Sequence, residues 1–235
     1  MTLAAAKRAL RKHAAALLGA VPRASLDEQA EAVCRAVQRL PEYAAARNVS
    51  IYLSMPAGEL DTWALCRTAL EGGKRLYVPR FSTLSAGAHA SEQHQFTTDM
   101  QMLRVHDVHE LHHGLTANKW GIAEPPPLRA GAAREDRTSF AHAALLTGGE
   151  GLDLIVVPGM LFDTHGGRLG HGKGYYDRYI ERAQAFARAR NARVPYIVAV
   201  ALREQVRDER VPTGDTDVPL DALVTADHTW VFSRR

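Results

Sequence analysis

The sequence predicts a single α/β domain over residues 1–235, with helices on both faces of a largely parallel sheet. Three observations predict it. Short, mainly apolar runs at residues 49–53, 76–79, 154–157 and 196–202 lack the alternation of half-exposed strands, as expected for strands covered on both faces. Segments of helical composition lie between several of them, and strand–helix–strand spacing of this kind joins parallel neighbours. At 235 residues and 46% apolar content, the chain is also long enough to bury one full core.

The elements follow in order. A first helix places Leu3, Leu10 and Leu17 on one stripe. Lys7 and Arg11, four residues apart, border that stripe, whereas Arg8 and Lys12 point to solvent. No acidic residue precedes Asp27, so this basic segment also fits an organelle-targeting peptide. Ser25-Leu-Asp-Glu28 reads as a capping box opening a second helix, which Pro41 closes. After the strand at 49–53, Ser54-Met55-Pro56 turns the chain into a helix over 59–70, ended by Gly72 and Gly73. The polar stretch 81–96 reads as a surface insertion, and 100–105 as a further strand.

His109-Glu-Leu-His-His113 satisfies the zinc-protease pattern H-E-x-x-H. That chemistry needs both histidines on one face of a long helix. Gly114 and the prolines at 125–127 oppose such a helix, so exposed loop histidines are expected. A polar linker over 128–138 and a short helix precede the strand at 154–157. A helix to residue 189 and strands at 196–202 and 222–225 follow. Cys34 and Cys66 lie in helical patterns and read as buried reduced thiols.

Chemistry concentrates after residue 157. Pro158 and Gly159 close the strand, and then five glycines fall in nine residues: Gly166, Gly167, Gly170, Gly172 and Gly174. Arg168, His171 and Lys173 interleave with them. Glycine lets backbone N–H groups approach anionic oxygens, a helix N-terminus adds unpaired donors, and the cations add charge. Gly167 to Lys173 matches G-x-x-x-x-G-K, but Gly174 stands where Ser or Thr would hold magnesium. A metal ligand must therefore come from elsewhere, and Asp177 is nearest. Carboxylates of the 211–221 loop could join it around Mg2+, which takes few carboxylates plus phosphate oxygens and water. The glycine spacing does not fit a dinucleotide fingerprint. A net charge of +3 with a pI of about 9.0 does not suggest nucleic-acid binding, and no apolar run approaches a membrane span.

The run Asp-Leu-Ile-Val-Val-Pro-Gly-x-x-Phe-Asp-x-x-Gly-x-Arg-Leu-Gly-x-Gly-Lys-Gly-Tyr-Tyr-Asp-Arg closely resembles the signature of the 5-formyltetrahydrofolate cyclo-ligase family. Lys7-Arg-Ala-Leu-Arg11 and Trp120-Gly-Ile-Ala-Glu-Pro125 resemble two further family motifs. The resemblance implies a fold of the NagB, ribose-isomerase and CoA-transferase type. It also implies ATP-dependent conversion of 5-formyltetrahydrofolate to 5,10-methenyltetrahydrofolate. By the same resemblance, ATP is expected at Lys7, Arg11, Arg168, Leu169, Gly170, His171, Gly172, Lys173, Gly174, Tyr175 and Tyr176. Folate is expected at Met55, Asp61, Trp120 and residues 171–175. Lys173, Arg168 and Arg11 would act on the transferring phosphoryl group, and Asp177 and Asp217 would hold Mg2+.

Asp217 and Asp221 match the family's acid-x-x-x-Asp pattern, with the first as ligand; Asp221 also reads as a turn former. Three further points stay open. Asp61 replaces the family's usual Glu and is one methylene shorter. Met55 also reads as ordinary packing, and Trp120 as a core residue. His171 stands where the family often has Arg or an aromatic residue, so affinity is expected to fall as pH rises through 6–7. A non-catalytic folate- or nucleotide-binding relative is the alternative function. Small-molecule substrates, a monomer and a cytoplasmic location are expected, with no membrane or nucleic-acid partner.

Overall fold

In the computed structural model, residues 2–56, 58–83, 98–133 and 151–233 are described. The chain opens with helices α1 (Leu3–Gly19), α2 (Arg23–Gln38) and α3 (Pro41–Ala45). Strand β1 (Asn48–Ile51), helix α4 (Trp63–Glu71), strands β2 (Arg75–Thr83) and β3 (Thr98–Val105) and helix α5 (Val108–His113) follow. Two small hairpins come next, β4 (Thr116–Ala117) with β5 (Ala123–Glu124) and β6 (Leu128–Arg129) with β7 (Ala132–Ala133). The second half carries β8 (Leu154–Val157), β9 (Leu161–Asp163), β10 (Arg168–Leu169), α6 (Tyr175–Ala189) and β11 (Tyr196–Val200). A 3-10 turn (Arg203–Gln205), β12 (Val206–Arg207), β13 (Ala222–Val224) and β14 (Thr229–Val231) complete it.

The main sheet has seven strands in the order β14-β13-β11-β8-β1-β2-β3. Its five inner strands are parallel, with Val49 opposite Leu154 and Tyr196 also opposite Leu154. The edges β3 and β14 are antiparallel to their neighbours. The period of two along each strand divides the core between the faces. Leu154 and Val156 pack with Val33, Leu65 and Cys66 of α2 and α4, whereas Ile155 and Val157 pack with Tyr179, Ile180 and Ala183 of α6. Both cysteines are buried free thiols. No helix among the described residues is long and apolar enough to cross a membrane.

Several expected boundaries move, each for a local reason. In α1 the buried positions are Ala14 and Leu18, while Leu3 and Leu17 remain 45% and 40% exposed. α2 starts at Arg23 after extended Pro22, so no capping box forms; the Ser25 hydroxyl accepts from Gln29 instead, at 3.0 Å. α4 starts at Trp63 rather than 59, because the preceding carboxylates bond the backbone locally: Glu59 takes the Met55 N–H and Asp61 the Trp63 N–H. The expected insertion at 81–96 begins as strand, since β2 pairs with β3 as far as Thr83 with Thr98; residues 84–97 lie outside the described residues.

The H-E-x-x-H run is a short helix, not a loop. Asp107 caps it and Gly114 ends it. Its histidines are exposed, and Glu110 is buried, bonded to the His106 amide and Arg129. The linker at 128–138 starts as the β6–β7 hairpin, whose turn residues Ala130 and Gly131 both have positive φ. Its remainder and the expected short helix lie outside the described residues.

Candidate functional site

The parallel strands deliver their following loops to one end of the sheet, the carboxyl end, where crevices form. Beyond β8 the glycine-rich segment is not a bare turn. It folds back as the β9–β10 hairpin, and β12 joins β9 to make a second, three-stranded sheet. Asp163, 1% exposed, holds the hairpin's tip. Its Oδ1 accepts from the His165 and Gly167 amides at 2.9 Å, and its Oδ2 accepts from Val211 at 2.8 Å. A Cβ on Gly167 would stand 2.3 Å from that Oδ2, so glycine is required there for room. Leu169 is buried with Ala14, Met160, Leu161 and Val211, which docks the hairpin under α1. Its side chain serves as an anchor rather than reaching towards a ligand.

Between β10 and α6 the carbonyls of Gly170, Lys173 and Gly174 are occupied, while the amides are not. Arg11 Nε donates to the Gly170 carbonyl at 2.8 Å, and Arg178 donates to the Lys173 carbonyl at 2.8 Å. Among the described residues, no backbone N–H from His171 to Asp177 donates to any acceptor. The glycines also admit guanidinium groups. Side chains added at Gly170, Gly172 and Gly174 would meet Arg168, Arg11 and Arg178 at 3.0–3.1 Å. A turn with surplus donors and arginines stacked on its backbone attracts anions. Lys173 adds an exposed ammonium with no ion pair among the described residues.

Two carboxylates stand beside this turn. Arg168, buried on β10, donates to Asp177 Oδ1 at 2.5 Å. Lys7 Nζ lies 2.5 Å from Asp217 Oδ2, which also accepts the Gly214 amide at 2.6 Å. The amide of Val218 bonds Asp177 Oδ1 at 3.2 Å, so the two aspartates sit on touching segments. Each keeps its second oxygen without a bond among the described residues. Two carboxylates on touching segments, each with a spare oxygen, could hold a magnesium ion that takes its remaining ligands from phosphate and water.

Next to the turn, a pocket of about 220 Å³ is lined by Arg23, Asp27, Met55, Glu59, Asp61 and Trp63, among others. Met55 and Asp61 therefore meet as expected, although one Asp61 oxygen is held by the Trp63 amide at 2.8 Å. Trp120 is not a core residue. It is 45% exposed, edge-on to Phe81 at 5.7 Å, with Lys119 over its ring. Phe81 in turn packs on Tyr175 at 4.9 Å, which links Trp120 to the start of α6. Tyr176 has Arg168 over its ring. Burial, and then the charge of Glu59, push its phenol well above the usual range, so it stays a hydroxyl.

Over residues 3–226 the chain matches the 5-formyltetrahydrofolate cyclo-ligase family. It belongs to that family. Two relatives are similar along most of their length. A Schizosaccharomyces pombe protein named "Probable 5-formyltetrahydrofolate cyclo-ligase" is 36% identical over 85% of each chain. The 5-formyltetrahydrofolate cyclo-ligase of Mus musculus is 31% identical over 97% of each. The solved 5,10-methenyltetrahydrofolate synthetase of Aquifex aeolicus superposes with a TM-score of 0.66 at 27% identity, covering 97% of this chain and 94% of its own. The chain is thus an enzyme of the cyclo-ligase family, with that family's mixed, mostly parallel sheet.

Two residues of this candidate site escaped the reading from sequence. Arg178 ends the family-like run and was given no role there, yet four residues after Gly174 it reaches back over the turn. Glu59 was expected at a helix start, but it faces the pocket. Its spacing from Met55 offered no separate signal.

Proposed function

We propose that the enzyme cyclises 5-formyltetrahydrofolate to 5,10-methenyltetrahydrofolate at the expense of ATP, with ADP and phosphate released. The observation that carries this is the turn at residues 171–177, rich in unbonded amides and flanked by Arg11, Arg168, Arg178 and Lys173, beside a pocket. Such a turn suits the terminal phosphates of ATP, and the pocket suits a flat pteridine.

The N5-formyl oxygen attacks the γ-phosphorus in line, and ADP leaves. N10 then adds to the activated carbon, its proton departs, and phosphate is expelled as the ring closes. An amide oxygen is a weak nucleophile, so catalysis rests on positioning and on donors aimed at developing charge. The amides of residues 171–175 and the Lys173 ammonium suit the transferring group. Lys7 and Arg11, carried on α1, suit the polyphosphate; Arg168, already bound to Asp177, steadies the base of the turn. Asp177 and Asp217 would hold Mg2+, which when bound neutralises phosphate charge. Trp120, Tyr175 and Tyr176 form the aromatic margin facing the folate.

The test is the absorbance of methenyltetrahydrofolate formed from 5-formyltetrahydrofolate with and without ATP. Product is expected only with ATP, and Lys173→Ala is expected to lower kcat/KM about 100-fold or more. ATP-independent product, or a near wild-type Lys173→Ala enzyme, would refute the assignment.

A further inference from the structure

Two peptide groups of the turn between β10 and α6 are held by arginines through their carbonyls. Arg11, from α1, donates to the Gly170 carbonyl at 2.8 Å. Arg178, on the first turn of α6, donates to the Lys173 carbonyl at 2.8 Å. No peptide bond among the described residues is cis. In a planar trans peptide the C=O and the following N–H point in opposite directions. A guanidinium that grips the Gly170 carbonyl therefore turns the His171 N–H away from itself. One that grips the Lys173 carbonyl does the same to the Gly174 N–H. Neither amide donates to any acceptor among the described residues.

Arg178 is itself placed by local geometry. Its N–H donates to the Gly174 carbonyl at 3.1 Å, at the start of α6. Helical side chains lean towards the N-terminus, so its guanidinium comes back over the turn. There it lies 5.4 Å from the centre of the Tyr175 ring. Tyr175 packs on Phe81 at 4.9 Å, which ties this corner to β2. Gly174 completes the fit. Its φ of 64° is in the left-handed region, and a Cβ there would stand 3.0 Å from Arg178 Nη1. A side chain at 174 would press on the guanidinium that holds the neighbouring carbonyl.

We infer that Arg178 is a positioning residue for the reaction: by fixing the Lys173–Gly174 peptide it aims the Gly174 N–H at the phosphoryl group in transfer. The inference rests on reading the turn as the nucleotide site. Arg178 acts through the backbone and touches no reacting atom. A guanidinium bound directly to phosphate would stabilise bound ATP as well as the transition state. An amide aimed at charge that develops during transfer lowers the barrier instead, and a donor fixed in advance needs no reorganisation at that moment.

Steady-state rates of the full chain and amide NMR spectra of isotope-labelled protein test this. Arg178→Ala keeps the helix, since alanine is the best helix former and the position is only half-buried. Its kcat is expected to fall about 10- to 100-fold, with the KM for ATP within about threefold of wild type. Arg178→Lys, which keeps one donor for the Lys173 carbonyl, is expected to lose less. The probe for the spectra is Mg2+ with ADP and tetrafluoroaluminate, a mimic of the phosphoryl group in transfer. It is expected to move the His171 and Gly174 amide protons of wild type downfield. In Arg178→Ala the His171 proton is expected to move as before and the Gly174 proton to stay. A Gly174 proton that still moves would overturn the inference, because the peptide would then be set without Arg178. So would a loss confined to the KM for ATP, which would make Arg178 a direct phosphate ligand. A wild type in which neither amide responds would instead overturn the reading of the turn as the nucleotide site, and the inference with it.

Discussion

At the scale of single residues, Gly167 was read as the first glycine of an anion-cradling loop, but its missing Cβ leaves room for Asp163 instead. Gly167→Ala is expected to cost about 2 kcal/mol by overpacking, seen as a fall in melting temperature of about 4–8 °C. The cations sort equally sharply. Arg11 reaches the Gly170 carbonyl, while Arg8 on the same helix is exposed. Arg11→Ala is therefore expected to raise the KM for ATP about tenfold, with Arg8→Ala within twofold, in steady-state titrations of ATP. The reason for the glycines at 170, 172 and 174 was legible only in part. Glycine suggested close approach of a ligand to the backbone, whereas the nearest neighbours are guanidinium groups from α1, β10 and α6. Which arginine covers which glycine depends on contacts between segments far apart in sequence.

At the scale of elements, α1 brings Arg11 to the turn and Lys7 to Asp217, so a basic segment that composition could not separate from a targeting peptide packs against the candidate site. The β9–β10–β12 sheet is a second case. The glycine density predicted a loop, but Asp163 bonds three amides and fixes a hairpin instead. The loop carrying Asp217 is held by Lys7 and by its own Gly214 amide, and Val218 beside it bonds Asp177. Chelation with EDTA is expected to abolish turnover and added Mg2+ to restore it. Asp217→Asn should need about tenfold more Mg2+ for half-maximal rate, because one anionic ligand is lost. A full rate for wild type in EDTA would exclude a metal at this pair.

At the scale of the whole molecule, the seven-stranded sheet brings the segments following β1, β8 and β11 to one end, and the two cores on its faces hold them in register. Those cores also cover protons. Burial pushes the Cys66 thiol and the Tyr52 and Tyr176 phenols upward, so the folded state holds these protons more tightly than the unfolded chain. Their contribution is fully present below the unfolded values and is lost as pH rises towards the folded ones. Stability should thus fall progressively above about pH 8.5, by about 1.4 kcal/mol per pH unit for each group that ionises in the unfolded chain. Thermal melts between pH 7 and 11 check this; a flat profile would contradict it.

The sequence by itself determined the parallel α/β architecture, the strand at 154–157, the anion-receptive turn after it and the cations of α1. Apolar period, glycine and charge are local properties that need no knowledge of distant neighbours. Tertiary structure alone decided that Glu59 faces His171, that Arg178 covers Gly174, and that the Val218 amide holds Asp177. Such contacts depend on which strands pair and how helices cross over them, a matter of packing across the chain that no window of residues contains.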